Sequence, residues 1–203
     1  MSKLKIYGMS GSRAIRSLWA IEETGQEYEQ IPVTFKEDSK TDEYLAINPN
    51  GKIPSLVDGE VTLFESMAIN LYLAKNYAQA LYPQDPATEA LTFQWSVWGI
   101  SEIEPLQMPI VVQKFFMPEE KRNEKIISSS QKQLLRPLKT LDDHLNGRDW
   151  LIGDAFSIAD LNLSAVMLLL QMIDYDYSSF TEVTRWARAC YARPALARAR
   201  ELP

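Results

Sequence analysis

The sequence predicts an α/β domain with element order βαβββα followed by an all-helical bundle, so the fold class is α/β + all-α. Three observations carry this. Strand-like and helix-like periods alternate up to Tyr77, no strand period recurs after Ala87, and two prolines fall within Tyr82-Pro83-Gln84-Asp85-Pro86 between the two regions. The expected organisation is a first domain over 1–80, a linker over 81–86 and a helical domain over 87–203. At 203 residues, each part is long enough to bury a core without disulfide or metal staples.

Lys3 to Tyr7 alternates Leu4 and Ile6 with lysines and stops at Gly8, which suits a short strand. Ala14 to Glu23 places Ile15, Leu18 and Trp19 on one helical face, and Gly25 closes the helix. Glu27 to Thr34 offers Tyr28, Ile31 and Val33 as a second strand, parallel to the first because the connection is long enough for a crossover. Thr41 to Ile47 reads as a short helix ahead of the turn formers Asn48-Pro49-Asn50-Gly51. Pro54 to Val57 and Val61 to Phe64 flank Asp58-Gly59, a hairpin signal, and Ser66 to Tyr77 follows as a helix free of Gly and Pro. Beyond the linker, Glu89–Val112, Glu119–Leu145, Ile158–Asp174 and Thr181–Ala192 read as helices, which Pro105, Pro109, Pro137 and Pro194 start, kink or end.

Composition excludes several function classes. A net charge of −6 argues against a nucleic-acid partner, which requires clustered Lys and Arg. Residues 1–80 carry 8 basic and 11 acidic side chains and residues 81–203 carry 13 and 16, so neither part is a charged arm. With Cys190 and His144 each alone of their kind, no zinc site can be written and no metal is expected. The longest apolar stretch, Leu161 to Ile173, is shorter than the roughly 20 residues of a membrane span. The opening Met-Ser-Lys-Leu-Lys-Ile lacks the pattern of a signal peptide, so the expectation is a cytoplasmic protein with no membrane partner.

Four segments carry chemistry. Gly8-Met-Ser10-Gly-Ser12-Arg13 lies where a strand enters a helix, so a serine hydroxyl and the free helical N–H groups there suit an anion; the same serine also suits a helix cap. The Gly-x-Ser pattern is not a hydrolase nucleophile elbow, because Ser12 stands where the second Gly is required. Asn48 to Pro54 ends in a proline that opens a strand. A trans bond is the general preference; a cis bond would turn the main-chain N–H and C=O of Ile53 outward for an extended peptide, and otherwise Pro54 protects an edge. In Leu63 to Ile69, Ser66 with the free helical N–H groups suits a carboxylate and Glu65 suits an ammonium, the two ends of an amino acid; helix capping by Ser66 is the simpler alternative. Last, Ser157 and Asp160 stand at capping-box spacing ahead of an apolar run, with Asp in place of Glu, which makes them a folding element.

Together, Asn-Pro-Asn-Gly-Lys-Ile-Pro at 48–54, Leu-Val-Asp-Gly at 56–59 and Leu-Phe-Glu-Ser-Met-Ala-Ile at 63–69 resemble the glutathione site of the cytosolic glutathione S-transferase superfamily. Leu151 to Asp160 resembles that family's hydrophobic-staple and capping-box segment. The resemblance covers nearly the whole chain and implies a thioredoxin-like first domain and a helical second one. It also implies a cis Ile53-Pro54 bond, Ile53 pairing with the cysteinyl backbone of glutathione, Glu65 and Ser66 holding the γ-glutamyl end, and Lys52 near the glycyl carboxylate. The family uses Tyr, Ser or Cys after the first strand, which here leaves Ser12 or Ser10 to stabilise the thiolate; Ser12, followed by Arg13-Ala14, is more like the bacterial members. Trp95, Trp98, Met108, Val111 and Phe115 are the expected apolar wall for a hydrophobic electrophile between the domains, with core packing as the alternative role of each. The implied function is a glutathione transferase of detoxification type acting as a homodimer. The alternative is a non-catalytic glutathione-binding or structural protein of the same fold. Disulfide or dehydroascorbate reduction would need a Cys near residues 10–13, where none stands.

Overall fold

A computed structural model describes residues 4–203. Lys3, where the first predicted strand begins, lies outside the described residues. Two compact units divide the chain, one formed by the residues up to Pro83 together with Ala192–Pro203, the other by Gln84–Tyr191.

The first unit holds β1 (Leu4–Tyr7), α1 (Ile15–Thr24), β2 (Tyr28–Ile31), α2 (Asp42–Leu45), β3 (Ser55–Asp58), β4 (Val61–Phe64) and α3 (Ser66–Tyr77). Its sheet has the order β2-β1-β3-β4, with β1 parallel to β2 and antiparallel to β3, and β3 antiparallel to β4. Alternation along β1 decides what each face covers. Leu4, Ile6 and Leu56 of the sheet are buried, as are Leu18, Trp19 and Ile21 of α1 and Ile69 and Leu73 of α3; α3 packs on β3 and β4 and against α1. Tyr7 points the other way and packs with Ile31, Val33, Tyr44 and Ile53.

Residues 192–203, expected within the helical domain, contribute α9 (Pro194–Glu201) to this first unit. The reason is charge and shape. Leu196 and Ala199 are buried on the side of α9 facing α1, Arg193 donates to both carboxylate oxygens of Glu23 at 2.5 and 2.7 Å, and Arg198 pairs with Glu22 at 2.6 Å.

The second unit is helical: α4 (Pro86–Trp98), α5 (Glu104–Val111), α6 (Glu124–Leu145), α7 (Ile158–Met172) and α8 (Thr181–Tyr191). Asp85 caps α4 through the N–H groups of Ala87 and Thr88, so the helix starts three residues before the expected Glu89, with Pro86 in its first turn. The helix expected over 89–112 is present as an unbroken helical run, but it is not regular along its length. Residues 99–103 form a widened turn in which Glu104 N–H reaches Gly99 C=O, just ahead of Pro105, whose missing N–H breaks the regular ladder. Residues 119–121 form a separate 3₁₀ turn, and α6 begins at Glu124, capped by Asn123. α7 is buried on nearly all sides, as the apolar run at 161–173 requires.

The Ser157–Asp160 pair closes this unit. Asp160 accepts from Ser157 N–H and hydroxyl at 2.9 Å each, from Leu151 N–H at 2.8 Å and from the Trp186 indole at 2.8 Å. One buried carboxylate thus ties the 151–157 loop to α7 and α8. Burial pushes its carboxyl up, and the four donors pull it back.

Candidate functional site

The sheet register assembles the site. Tyr7 pairs with Ser55, and Ser55 pairs with Phe64, so the last residue of β1, the first of β3 and the last of β4 form one row across three adjacent strands. The segments that continue from this row are therefore neighbours at one end of the sheet: 8–14 after β1, 52–54 before β3, and 65–66 after β4. These are the segments singled out by residue type.

Gly8 lets the first two meet. Its φ is +134°, and an added Cβ would lie 2.5 Å from the Ala14 Cβ and 3.4 Å from the Ile53 Cβ, so only glycine allows the β1–α1 loop to lie against Ile53. Beyond it the two serines differ. The Ser10 hydroxyl donates to Leu202 C=O at 2.7 Å and its N–H donates to Pro203 C=O at 2.7 Å. The Ser12 hydroxyl donates to Met9 C=O at 2.7 Å while its oxygen accepts from Ala14 N–H at 3.0 Å, across the turn that enters α1. Ser12 therefore stabilises the turn ahead of α1 and does not cap the helix, whose N-cap is Ala14 with no side-chain cap, and its hydroxyl hydrogen is engaged by Met9 C=O.

The Ile53-Pro54 bond is cis. Among the described residues, no hydrogen bond uses the main-chain N–H or C=O of Ile53. The residue before it is held tightly: Lys52 C=O accepts from the Tyr44 hydroxyl at 2.6 Å and from Asn48 Nδ2 at 2.7 Å, while the Lys52 side chain is exposed. Ser55 shares the Tyr44 hydroxyl at 2.8 Å, and Lys40 donates to Gly51 C=O at 2.5 Å. Gly51 has a φ of +55°, and a Cβ there would meet Lys40 Nζ at 2.7 Å and Ser39 C=O at 2.8 Å. Burial pushes the Tyr44 hydroxyl up, keeping it a neutral donor.

At the third segment, Glu65 is exposed and holds a φ of +72°, an uncommon conformation for a residue with a side chain. Ser66 opens α3 and is buried, and no side chain caps the helix, so the N–H groups of its first turn face the same end of the sheet.

Two family models match the chain: the N-terminal domain of glutathione S-transferase over residues 2–75 and the C-terminal domain over residues 103–194. The chain belongs to the glutathione S-transferase family. Glutathione S-transferase 3 of Zea mays is 34% identical over 205 residues, covering 96% of this chain and 92% of its own. The theta class glutathione S-transferase from the citrus canker pathogen Xanthomonas axonopodis pv. citri, with glutathione bound, is 31% identical with a TM-score of 0.90 over 98% of this chain and 97% of its own. A glutathione transferase family member from Pseudomonas fluorescens pf-5, with two glutathione bound, is 30% identical with a TM-score of 0.90 over 99% and 93%.

Within this glutathione S-transferase chain, the five residues expected to form an apolar wall fall into distinct surroundings. Trp95 and Val111 are buried in the second unit. Trp95 stacks edge-on with Trp98 at 5.2 Å and lies 4.5 Å from the His144 ring, whose Nε2 donates to Leu151 C=O at 2.9 Å. Trp98 lines a cleft of about 680 Å³ between α4 and α6, together with Phe93, Val97 and Arg136. Met108 is half-buried and Phe115 is 53% exposed. Trp98 alone of the five lines that cleft. Among the described residues, no helix is long and apolar enough to cross a membrane, and no group of His, Cys, Asp or Glu is placed to hold a metal ion.

Sequence reasoning missed Tyr44, Gln30, Leu202 and Pro203. Tyr44 acts through the Lys52 carbonyl eight residues on, and Leu202 acts on Ser10 across 192 residues. The first lay in a short helix with no signal beyond its apolar character, and the second contributes only a main-chain atom, which no side-chain pattern reports.

Proposed function

We propose that the protein binds glutathione at the 8–14, 52–54 and 65–66 end of the sheet and transfers it to a hydrophobic electrophile. The observation that carries the reading is the row Tyr7–Ser55–Phe64, which sets a serine loop, a strand-start peptide edge and a helix start with an adjoining carboxylate side by side. An extended tripeptide with a thiol, an α-amino acid end and a terminal carboxylate matches these three elements. Ile53 takes its central peptide unit, Glu65 and Ser66 its γ-glutamyl end, and Lys52 its glycyl carboxylate. Family membership and the glutathione-bound relatives support this.

Ser12 is the thiolate donor in this reading, because its hydroxyl and N–H are held only within its own turn by Met9 C=O, whereas those of Ser10 are tied to the distant residues 202–203. Turning its hydrogen from Met9 C=O to the sulfur leaves the Ala14 N–H bond to its oxygen intact. A free thiol of this type has a pKa of about 8.5, so lowering it by roughly two units takes about 2.7 kcal/mol. A charge-assisted hydrogen bond contributes about 1.5–3 kcal/mol and the start of α1 about 0.3–1. The thiolate attacks the electrophilic carbon, a C–S bond forms as the bond to the leaving group breaks, and the thiol proton has already passed to solvent. The hydroxyl stays a hydrogen-bond donor throughout.

Homodimerisation, a cytoplasmic location and a role in detoxification belong to the same reading. Val97, 58% exposed, and Phe93 beside it on α4 support pairing of two copies, since apolar side chains grouped at a cleft mark a contact surface. Glutathione titration by calorimetry, followed by turnover of an activated aryl halide, tests the function. Saturable binding with thioether formation is expected. Binding without turnover favours the second reading, a glutathione-binding module, to which the engagement of both serine hydroxyls by main-chain carbonyls points. No binding refutes both.

A further inference from the structure

We infer that residues 192–203 form a strap that sets the position of the Ser12 hydroxyl, with Gln30, Leu202 and Pro203 as positioning residues; this rests on the thiolate reading above. The loop needs such support. It runs from Gly8 through Gly11, where an added Cβ would meet nothing, and among the described residues Ser12 itself bonds only to Met9, Ala14 and Ile15, all within four residues. Local bonds give that turn its shape, and the one sheet bond at Gly8 lies four residues before Ser12.

The start of the loop is held to β2 by the Gly8 N–H, which donates to Ile31 C=O at 3.0 Å, and three further residues hold the part that leads to Ser12. Leu202 C=O receives the Ser10 hydroxyl at 2.7 Å, Pro203 C=O receives the Ser10 N–H at 2.7 Å, and Gln30 Nε2 donates to Gly8 C=O at 3.0 Å and to Pro203 C=O at 3.1 Å. Gln30 thereby joins both sides of the contact to β2. All four bonds fall on residues 8–10 or on Pro203 beside them, immediately ahead of Ser12.

The strap is itself anchored at the far end of α1. Arg193 grips Glu23 through two bonds, Glu23 also accepts from Trp19 Nε1 at 3.0 Å, and Arg198 donates to Glu22 through Nε at 2.6 Å and to its C=O through Nη2 at 2.9 Å. At 1.5 Å per residue, α9 is about 12 Å long and α1 about 15 Å. The strap thus runs back along α1 from its last turn to the loop before its first turn, and holds both ends. Ion pairs and the apolar face of α9 suffice to attach it. The main-chain bonds to Ser10 add something else, a fixed position for the turn that carries the thiolate donor, where a displacement near 1 Å costs about a hundredfold in rate.

Because Leu202 and Pro203 act through carbonyls, deletion rather than side-chain substitution removes them. The test compares the full chain with a variant ending at Glu201 and with Gln30→Leu, reading glutathione KM, kcat and the ultraviolet thiolate absorbance of bound glutathione against pH. The expected result is a loss of about tenfold in kcat at neutral pH, a rise of about one unit in the pKa of the bound thiol, and a glutathione KM within about twofold of the full chain. Gln30→Leu shows the same pattern to a smaller extent and carries the test if the shortened chain does not fold. A lower melting temperature with kcat and thiol pKa unchanged overturns the inference, since the strap then serves stability alone. A raised KM with kcat intact overturns it as well. An unshifted thiol in the full chain refutes the thiolate reading itself, and this inference with it, before any variant is compared.

Discussion

Replacing Tyr44 by Phe removes the hydroxyl oxygen that binds the Lys52 carbonyl and Ser55. That oxygen donates to Lys52 C=O at 2.6 Å and shares a hydrogen with Ser55 Oγ at 2.8 Å. Since it has one hydrogen and Lys52 offers only an acceptor, Ser55 is the donor in the second bond. Lys52 C=O keeps its bond from Asn48, so its loss is about 0.5–1.5 kcal/mol. Ser55 is fully buried, and its hydroxyl left without a partner costs about 1–3 kcal/mol. The variant is therefore expected to lose about 2–3 kcal/mol, or roughly 4–12 °C in melting temperature for a chain of this size. Calorimetry and denaturant titration measure this. Ser55→Ala in the Tyr44→Phe background removes the orphaned group, so the double variant should be more stable than the sum of the single losses by about 1 kcal/mol. Because Lys52 leads directly into Ile53, glutathione KM should rise several-fold while kcat at saturation holds. A loss below about 0.5 kcal/mol, or strict additivity, would show that this hydroxyl does not hold the turn.

Other perturbations act through the same contacts. Asp160→Ala strips the acceptor from three N–H groups and a hydroxyl and should cost about 3–5 kcal/mol by chemical denaturation, with Asp160→Asn milder; a loss under about 1 kcal/mol would contradict the buried-carboxylate account. Gly8→Ala, with its Cβ driven to 2.5 Å from Ala14, should displace the serine loop and lower turnover about a hundredfold, whereas near-normal kcat would show that the close approach is dispensable. The Tyr72 hydroxyl donates to Asp58 at 2.7 Å, and burial together with that carboxylate pushes its pKa up to about 12. Its neutral form is thus favoured by folding: the contribution is complete below pH of about 10, where the unfolded tyrosine ionises, and fades as pH rises toward about 12. Melting temperatures of the native protein and of Tyr72→Phe should therefore converge across that interval, and a constant gap would exclude the contact.

Much of the fold was legible because its signals are local. Asp58-Gly59 between two apolar runs specifies the β3–β4 hairpin, and Ser157 with Asp160 specifies the start of α7, since each depends on residues at most a few positions apart. The long helix expected over 89–112 shows the limit. Apolar periodicity continues through Pro105, but the missing N–H widens the turn at 99–103, and propensity does not say whether a proline kinks or merely starts a helix. The candidate site was legible at Ile53, Glu65 and Ser66 through residue type and turn context. What brings them together is the Tyr7–Ser55–Phe64 row: its Ser55–Phe64 half follows from the local hairpin, but the Tyr7–Ser55 half is a register between strands about fifty residues apart, and no local pattern encodes it. The choice between Ser10 and Ser12 was illegible for a sharper reason. It turns on main-chain carbonyls of Leu202 and Pro203, whose identity as acceptors is common to every residue in the chain.

The central claim is that the hydroxyl of Ser12 holds the glutathione sulfur as a thiolate. Its most direct test is the ultraviolet thiolate absorbance of glutathione bound to the native protein, Ser10→Ala and Ser12→Ala, followed as pH is varied. The account predicts a bound thiol pKa about two units below the free value of about 8.5 in the native protein, restored toward the free value by Ser12→Ala and lowered nearly as much in Ser10→Ala as in the native chain. An unshifted thiol in the native protein, or a shift abolished by Ser10→Ala and kept by Ser12→Ala, would contradict it.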